Sequence, residues 1–304
     1  MTAFSTLFSS LVPAALLPGT RRTHDAKAVV TGAGSGIGRA FALEIAARGG
    51  EVVCADIDAE RAAETVRLIA DRHGRPAHAY RCDVADRDDM ESLALHAELI
   101  FGGPPTLVVN NAGVGIGGKP VGEIGFDDWR WALGINLWGV VHGCEIFAPR
   151  LRAAGRGGIV NVASAAGFAA APGMAAYNVS KAGVLSLSET LAAELAGTDV
   201  AVTVLCPTFV KTNVVRDGRI TSGSSNLAES LMRRTGFAPE RVARDALDAN
   251  DRGRLYVLPQ LDARAIWLLK RQFPSLYTHA LGVLNHVLPQ ADSPSAAHAS
   301  KTGV

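Results

Sequence analysis

The chain has 304 residues, 48% of them hydrophobic, and a formal net charge of +1. That is enough apolar material for one large α/β domain or two small ones. The near-neutral balance removes the electrostatic case for a nucleic-acid binder, and no apolar run reaches membrane-spanning length. Cys54, Cys82, Cys144 and Cys206 show no paired spacing, so they read as reduced core residues of a cytoplasmic protein rather than as disulfides or a metal site.

Residues 1–25 read as an N-terminal extension. Its apolar part, Phe4 to Leu17, lacks a basic start, and Arg21-Arg22 follows instead of preceding it. That order suits a flexible or surface-packed segment better than a targeting or membrane-contacting one.

The fold pattern begins at Lys27. Ala28-Val29-Val30 is a short strand, Thr31 to Gly38 a glycine-rich turn, and the next stretch carries Phe41, Leu43 and Ile45 at helical spacing before Gly49-Gly50. Strand, glycine turn and helix together suit a pyrophosphate, because backbone can approach closely and the helix N-terminus is electropositive. The next strand, Glu51 to Asp56, ends in an acid. An acid there accepts from ribose hydroxyls and repels a 2′-phosphate, which favours NAD over NADP.

Ala59 to Arg72 reads as a helix and Ala77 to Cys82 as a strand running into Asp83-Val84, where the acid can accept from an adenine amino group. Arg87 to Phe101 is helical. Leu107-Val108-Val109 shows no alternation, as expected of a strand buried on both faces. It enters Asn110-Asn111-Ala112-Gly113, whose amides can brace the sheet edge and contact a cofactor. Gly115 to Gly118 reads as a loop. A helix from Asp127 carries Trp129, Leu133, Leu137 and Val141 as a core stripe, with Asn136 inside it either bonding backbone or holding a water.

Gly158 to Ala163 is a further buried strand, with Ser164 at its carboxyl end. The following helix runs from Tyr177 to about Ala196 and places Tyr177 and Lys181 one turn apart on one face. An ammonium so placed lowers the phenol pKa and fits Tyr177 for proton transfer. Small residues along this helix, such as Ala182, Ser186 and Ala193, predict a subunit interface. Val200 to Leu205 is a strand ending in Cys206-Pro207. Residues 214–237, polar and rich in Gly and Ser, read as an active-site lid. Pro239 to Asn250 is helical and Arg254 to Leu258 a last strand. Ala265 to Leu288 reads as one helix, packed on the domain or a partner subunit, covering an apolar site or touching a membrane surface; the tail from Pro289 reads as disordered.

Alternating strands and helices predict one doubly wound parallel sheet: an α/β Rossmann-type domain over 26–260, with a C-terminal helical extension and tail over 261–304. Hydrolase and P-loop patterns fail, since Ser35 lacks the nucleophile-elbow flanks and no Gly-Lys-Ser/Thr follows the glycine turn.

Taken together, Thr31-Gly32, Gly36-Ile37-Gly38, Asn110 to Gly113, Asn136, Ser164, Tyr177 to Lys181, and Pro207 with Thr212 resemble the short-chain dehydrogenase/reductase family, in its compact branch. The resemblance covers about Lys27 to Leu258. It implies an oxidoreductase in which Tyr177 is the general acid/base, Lys181 tunes it and bonds the nicotinamide ribose, Ser164 orients the substrate oxygen, and Asn136 holds a water. It further implies a cofactor held by Gly32, Ser35, Gly36, Ile37, Gly38, Asp56, Asp83, Val84, Asn110, Ala112, Gly113, Tyr177, Lys181, Pro207, Val210 and Thr212. One departure is Thr208, where the family has Gly after the proline. Ser164, Ala165, Phe168, Met174, Tyr177 and Phe209 are the expected substrate-lining residues, mostly apolar, which suits a hydrophobic or cyclic secondary alcohol or its ketone. The expectation is an NAD-dependent dehydrogenase, a homodimer or homotetramer without a metal. The alternatives are an NADPH-dependent carbonyl reductase or a non-catalytic dinucleotide-binding protein.

Overall fold

The computed structural model describes residues 21–287 apart from 213, 215 and 216. The expected extension over Phe4 to Leu17 and the tail from Pro289 lie outside the described residues. In chain order the strands are β1 (Lys27–Thr31), β2 (Glu51–Asp56), β3 (Ala77–Arg81), β4 (Leu107–Asn110), β5 (Ile116–Gly117), β6 (Arg156–Val162), β7 (Asp199–Leu205), β8 (Arg219–Ile220) and β9 (Tyr256–Val257). Seven of them form one parallel sheet, as the sequence predicts, in the order β3-β2-β1-β4-β6-β7-β9. Val29 pairs with Val53 on one side and Val108 on the other, so strand order reverses between β1 and β4. In such sheets the crevice for ligands opens at the carboxyl ends of the strands, at the reversal.

The strand sequences follow their positions. Central β4, Leu-Val-Val-Asn, is buried at every residue, whereas edge strand β3, Ala-His-Ala-Tyr-Arg, is partly exposed along its length. Polar residues on an outer strand also blunt its free edge.

Helices cover both faces. One apolar layer packs Phe41 and Ile45 of α1 (Gly36–Ala47), Ile69 of α2 (Ala59–His73) and later Val242 and Leu247 against the sheet. The opposite layer packs Met90 and Leu93 of α3 (Arg87–Phe101), and Phe147 and Leu151 of α5 (Gly139–Ala154), against the other face. α4 (Phe126–Leu133) joins α5 through a wide π-helical turn, Gly134–Trp138. After β6 come a short α6 (Ala166–Ala169) and the long α7 (Ala175–Glu194). Truncating a fully buried aromatic such as Phe147 to Ala would cost about 3–5 kcal/mol.

Two expectations need correcting, and the segment read as a lid gains its internal structure: within 214–237 lie β8, which pairs with β5 at Ile116↔Arg219, and α8 (Ser222–Thr235). The Gly and Ser of its first turn masked the strong helix formers Ala228, Glu229, Leu231, Met232 and Arg233 that follow. Likewise Gly115 to Gly118 is not only loop, since β5 lies within it. After α9 (Pro239–Asp251), the C-terminal helix is two helices, α10 (Leu261–Gln272) and α11 (Pro274–Val287). Pro274 lacks an N–H and forces Phe273 out of the helical region, to φ −134 and ψ 61.

The end of the expected N-terminal extension packs on the domain. Thr23 is buried, and its N–H and hydroxyl donate to the two Asp251 carboxylate oxygens at 2.9 and 2.8 Å. Arg48 adds ion pairs to Glu44, Asp248 and Asp251. Residues 21–25 are therefore pinned to α1 and α9.

Candidate active site

The three helices that follow β1, β2 and β3 begin differently. Asp58 caps α2, accepting from Glu60 and Arg61 N–H at 3.0 and 3.1 Å. Asp86 caps α3 in the same way, from Asp88 and Asp89. α1 has neither a side-chain cap from Ser35 nor an acid in its first turn. Its leading N–H groups stay available to an anion, in the crevice where β1 ends. Gly38 makes this close turn possible: a Cβ there would lie 2.0 Å from the Gly32 carbonyl oxygen. Gly32 itself has φ +64, where a side chain is strained.

Asp56 closes this end. One carboxylate oxygen accepts from Gly34 N–H at 2.8 Å and the other from Asp58 N–H at 3.0 Å. Each oxygen has a further lone pair. Arg39 and Arg61 stand beside it, a pair the sequence reading missed. Arg39 bonds the Gly34 carbonyl, Thr65 and Glu64, while Arg61 pairs with Asp58 and Asp217. Asp83 accepts from Ala85 N–H at 3.0 Å and donates its own N–H to Asp89. The adjoining Val84 is nearly buried and touches Gly139 of α5.

At the end of β4 the four-residue motif braces more than it opens. Asn110 is 1% exposed, and its amide donates to Asn161 at 2.8 Å inside the sheet. Its side chain is turned into the sheet, in keeping with the bracing expected of this motif. Asn111 donates to the Thr31 and Gly32 carbonyls, and Ala112 N–H donates to Thr31 Oγ1 at 3.2 Å. Gly113 is exposed at the crevice. A Cβ built on it would lie 3.0 Å from Asn136 Oδ1 and 3.4 Å from Lys181 Nζ. Asn136, in the π-helical turn, accepts from Val114 N–H at 2.7 Å and donates to Val114 O at 2.9 Å. Its side chain is thus a backbone brace, the first of the two roles weighed for it.

Ser164, Tyr177 and Lys181 come together. Ser164 follows β6 and lies beside the Tyr177 phenol, close enough to oppose the rise of its pKa. Its hydroxyl also lies 3.4 Å from the Pro207 carbonyl. The Lys181 ammonium is buried, 5.8 Å from the centroid of the Tyr177 ring, and donates to the Val162 carbonyl at 3.0 Å. Burial pushes the phenol of Tyr177 above its ordinary range, and Ser164 only partly offsets this. The direction is thus opposite to the lowering expected from Lys181, whose ammonium is 5.8 Å from the ring centroid. Burial lowers Lys181 to about 8, with Cys206 opposing, so the ammonium persists at neutral pH. Burial raises the four free thiols to about 12, which leaves them unreactive.

The remaining residues border these. Thr212 lies over the glycine turn, its methyl 3.0 Å from a Cβ built on Gly36. Ile37 packs on the core, and Val210 is buried and bridges to Phe237. Pro207 presents its carbonyl to Ser164 and to Ala165 N–H. Met174 packs on Gly117 and Phe209 is partly exposed. Ala165 and Phe168, expected to line the site, are 4% and 6% exposed. Phe168 packs edge-on against Trp267. An open trough between Pro274 and His286 follows one face of α11 and includes none of these residues.

A family model for short chain dehydrogenases matches residues 26–222. The chain belongs to the short-chain dehydrogenase/reductase family. A Mycobacterium tuberculosis protein provisionally named oxidoreductase SadH is 36% identical over 257 residues, covering 82% of this chain and 91% of the relative. A C alpha-dehydrogenase of Sphingobium sp. strain SYK-6 is 30% identical over 286 residues, 90% of each chain. Among solved structures, a Burkholderia phymatum short-chain dehydrogenase/reductase crystallised with NAD is 35% identical, with a TM-score of 0.76, covering 82% of this chain and 94% of that one.

In this short-chain dehydrogenase/reductase, sequence reasoning missed two further groups. Asn161 and Ser188 tie β4 and β6 to α7, with Asn161 donating to Ser188 at 3.0 Å. Gln260 and Asp262 bond the segment after β7. Gln260 had a signal: it stands just past the carboxyl end of the last strand, where ligand-side residues collect.

Proposed function

We propose that this oxidoreductase interconverts a secondary alcohol and its ketone with NAD, on a hydrophobic or cyclic substrate. The observation that carries the reading is the meeting of Ser164, Tyr177 and Lys181 beside Gly113, at the carboxyl edge that also holds the uncapped start of α1. These residues fit a nicotinamide dinucleotide. The first turn of α1 would hold its pyrophosphate, Asp56 the adenosine ribose, Lys181 the nicotinamide ribose and Thr212 the carboxamide. Once bound, it supplies the acceptor for the hydride that leaves the carbinol carbon.

The chain's own residues manage the proton and the substrate oxygen. Ser164 donates to that oxygen and orients it. In oxidation Tyr177, as phenolate, takes the hydroxyl proton; in reduction the phenol returns it. Burial keeps Tyr177 protonated at neutral pH, so the alcohol-oxidising rate climbs toward alkaline pH while ketone reduction does not need that climb. Asn136 holds Val114 in place, so any water on the proton path meets its main chain. NAD is favoured because Asp56 bears negative charge at the ribose and both nearby arginines already face carboxylates. A subunit interface on the outer stripe of α7, through Ser186 and Ala193, belongs to the same proposal.

The test is a panel of secondary alcohols and ketones, each with NAD and NADP, followed by absorbance of the reduced nicotinamide. The reading expects turnover with apolar secondary alcohols and higher kcat/KM with NAD. A clear NADP preference would overturn the cofactor assignment, and turnover with no alcohol or ketone would overturn the reaction.

A further inference from the structure

The short-chain dehydrogenase match ends at residue 222, yet the chain beyond it is bonded to the two segments that carry the expected substrate-lining residues Phe209 and Phe168. Gln260 is 3% exposed. Its Oε1 accepts from Thr208 N–H at 3.2 Å and its Nε2 donates to the Phe209 carbonyl at 3.0 Å. One side chain thus grips two successive residues immediately after Pro207. The Thr208 hydroxyl adds a bond to Asp262 at 3.1 Å, and Asp262 also accepts Ala263 N–H at the start of α10. Thr208 is the residue that departs from the family's glycine, and a glycine there could not make this second attachment.

The Phe168 segment is held from the same extension. Trp267 of α10 meets Phe168 edge-on at 4.9 Å between centroids. It is itself flanked by Tyr256 at 5.3 Å and by the Arg271 guanidinium at 4.4 Å from the ring centroid. The Tyr277 hydroxyl donates to the Ala169 carbonyl at 3.0 Å, one residue before Ala170, which adopts φ 53. That left-handed conformation is unfavourable for alanine and is held only if its surroundings fix it. α6, between these contacts, closely follows Ser164.

We propose that Gln260 and Trp267 are positioning residues that set the width of the substrate cleft, Gln260 through the Thr208–Phe209 segment and Trp267 through Phe168. The C-terminal extension is then a specificity device for bulky apolar alcohols, and not merely a surface addition. This rests on the alcohol dehydrogenase reading given above.

The experiment compares the full-length chain with Gln260→Ala, Gln260→Glu, Trp267→Leu and Thr208→Val, using 1-phenylethanol and 2-propanol as substrates. NAD affinity is read by fluorescence titration and folding by thermal melting. Loss of an apolar or polar wall contact predicts KM for 1-phenylethanol rising about tenfold in Gln260→Ala and Trp267→Leu. kcat and NAD affinity stay within about twofold, and the values for 2-propanol move less than those for 1-phenylethanol. Gln260→Glu, which keeps the acceptor for Thr208 N–H, falls between wild type and Gln260→Ala. If the buried substitutions do not fold, Thr208→Val decides, since it removes a single hydroxyl and still predicts a shift confined to the larger alcohol. An unchanged preference between the alcohols, or NAD affinity falling in step with KM, overturns the inference alone. A wild-type chain that oxidises neither alcohol nor any of the wider panel overturns the function reading as well.

Discussion

On the β2–β1–β4 side of the crevice, the candidate site is made largely of backbone: an uncapped helix start, tight glycine contacts and a carboxylate at a strand end. On the β7–β9 side it is made of side chains that reach across from distant sequence, with Gln260 to Thr208 and Trp267 to Phe168 as the main contacts. Backbone geometry tolerates little variation, because a methyl in the wrong place meets a carbonyl oxygen. Side-chain contacts at a distance can be exchanged one at a time. The contrast explains how one half can keep a common chemistry while the other is tuned.

Gly38→Ala should break the first half most severely. Its methyl would stand 2.0 Å from the Gly32 carbonyl oxygen, and such overpacking against backbone should weaken dinucleotide binding about a hundredfold or more. Fluorescence titration checks this, and near-normal affinity would show the turn to be softer than its geometry.

Lys181→Met probes the junction of the halves through stability. The lysine's folded-state pKa, about 8, lies below its ordinary 10.5. Between those values the unfolded chain binds the extra proton, so wild-type stability climbs with pH through that window. Below about pH 8 the whole penalty of burying charge is present. The variant lacks it and should gain on wild type at pH 7, with the advantage shrinking by up to about 3 kcal/mol toward pH 10.5. Urea melts of both proteins across this range measure it; a constant difference would contradict the buried ammonium. Alkaline loss from Cys54, Cys82 and Cys144 is shared by both and cancels, whereas Cys206 loses the Lys181 charge that lowers it, so its added alkaline loss shrinks the variant's advantage further.

Asp56→Ala sharpens the comparison at smaller cost. It removes charge-assisted acceptance at the ribose, and the NAD-to-NADP ratio of kcat/KM should fall about tenfold to a hundredfold. Steady-state kinetics with both cofactors checks it. An unchanged ratio would leave Asp56 as a brace for Gly34 and nothing more.

The same division governs what could be read from the sequence. The parallel strands, the glycine turn and the placing of Ser164, Tyr177 and Lys181 follow from local patterns: apolar runs without alternation, glycine spacing and a four-residue helical interval. The surroundings of Asn110 and Phe168 were not legible: residue type does not show that Asn110 is buried between β4 and β6 with its amide on Asn161, or that Trp267, from the far C-terminal extension, packs on Phe168. The direction of the Tyr177 shift was hidden too, since helical spacing shows the nearby ammonium but not the burial that raises the phenol. α8 and the break at Pro274 were local and legible, had helix formers and proline been weighed above Gly and Ser content.

The most direct measurement of the central claim is turnover and NAD affinity of Tyr177→Phe, which removes one hydroxyl and keeps the ring. General acid/base action by that phenol predicts kcat falling by about 10²–10⁴, with NAD affinity close to wild type. Turnover near the wild-type rate would contradict the account, since the proton would then move through another group.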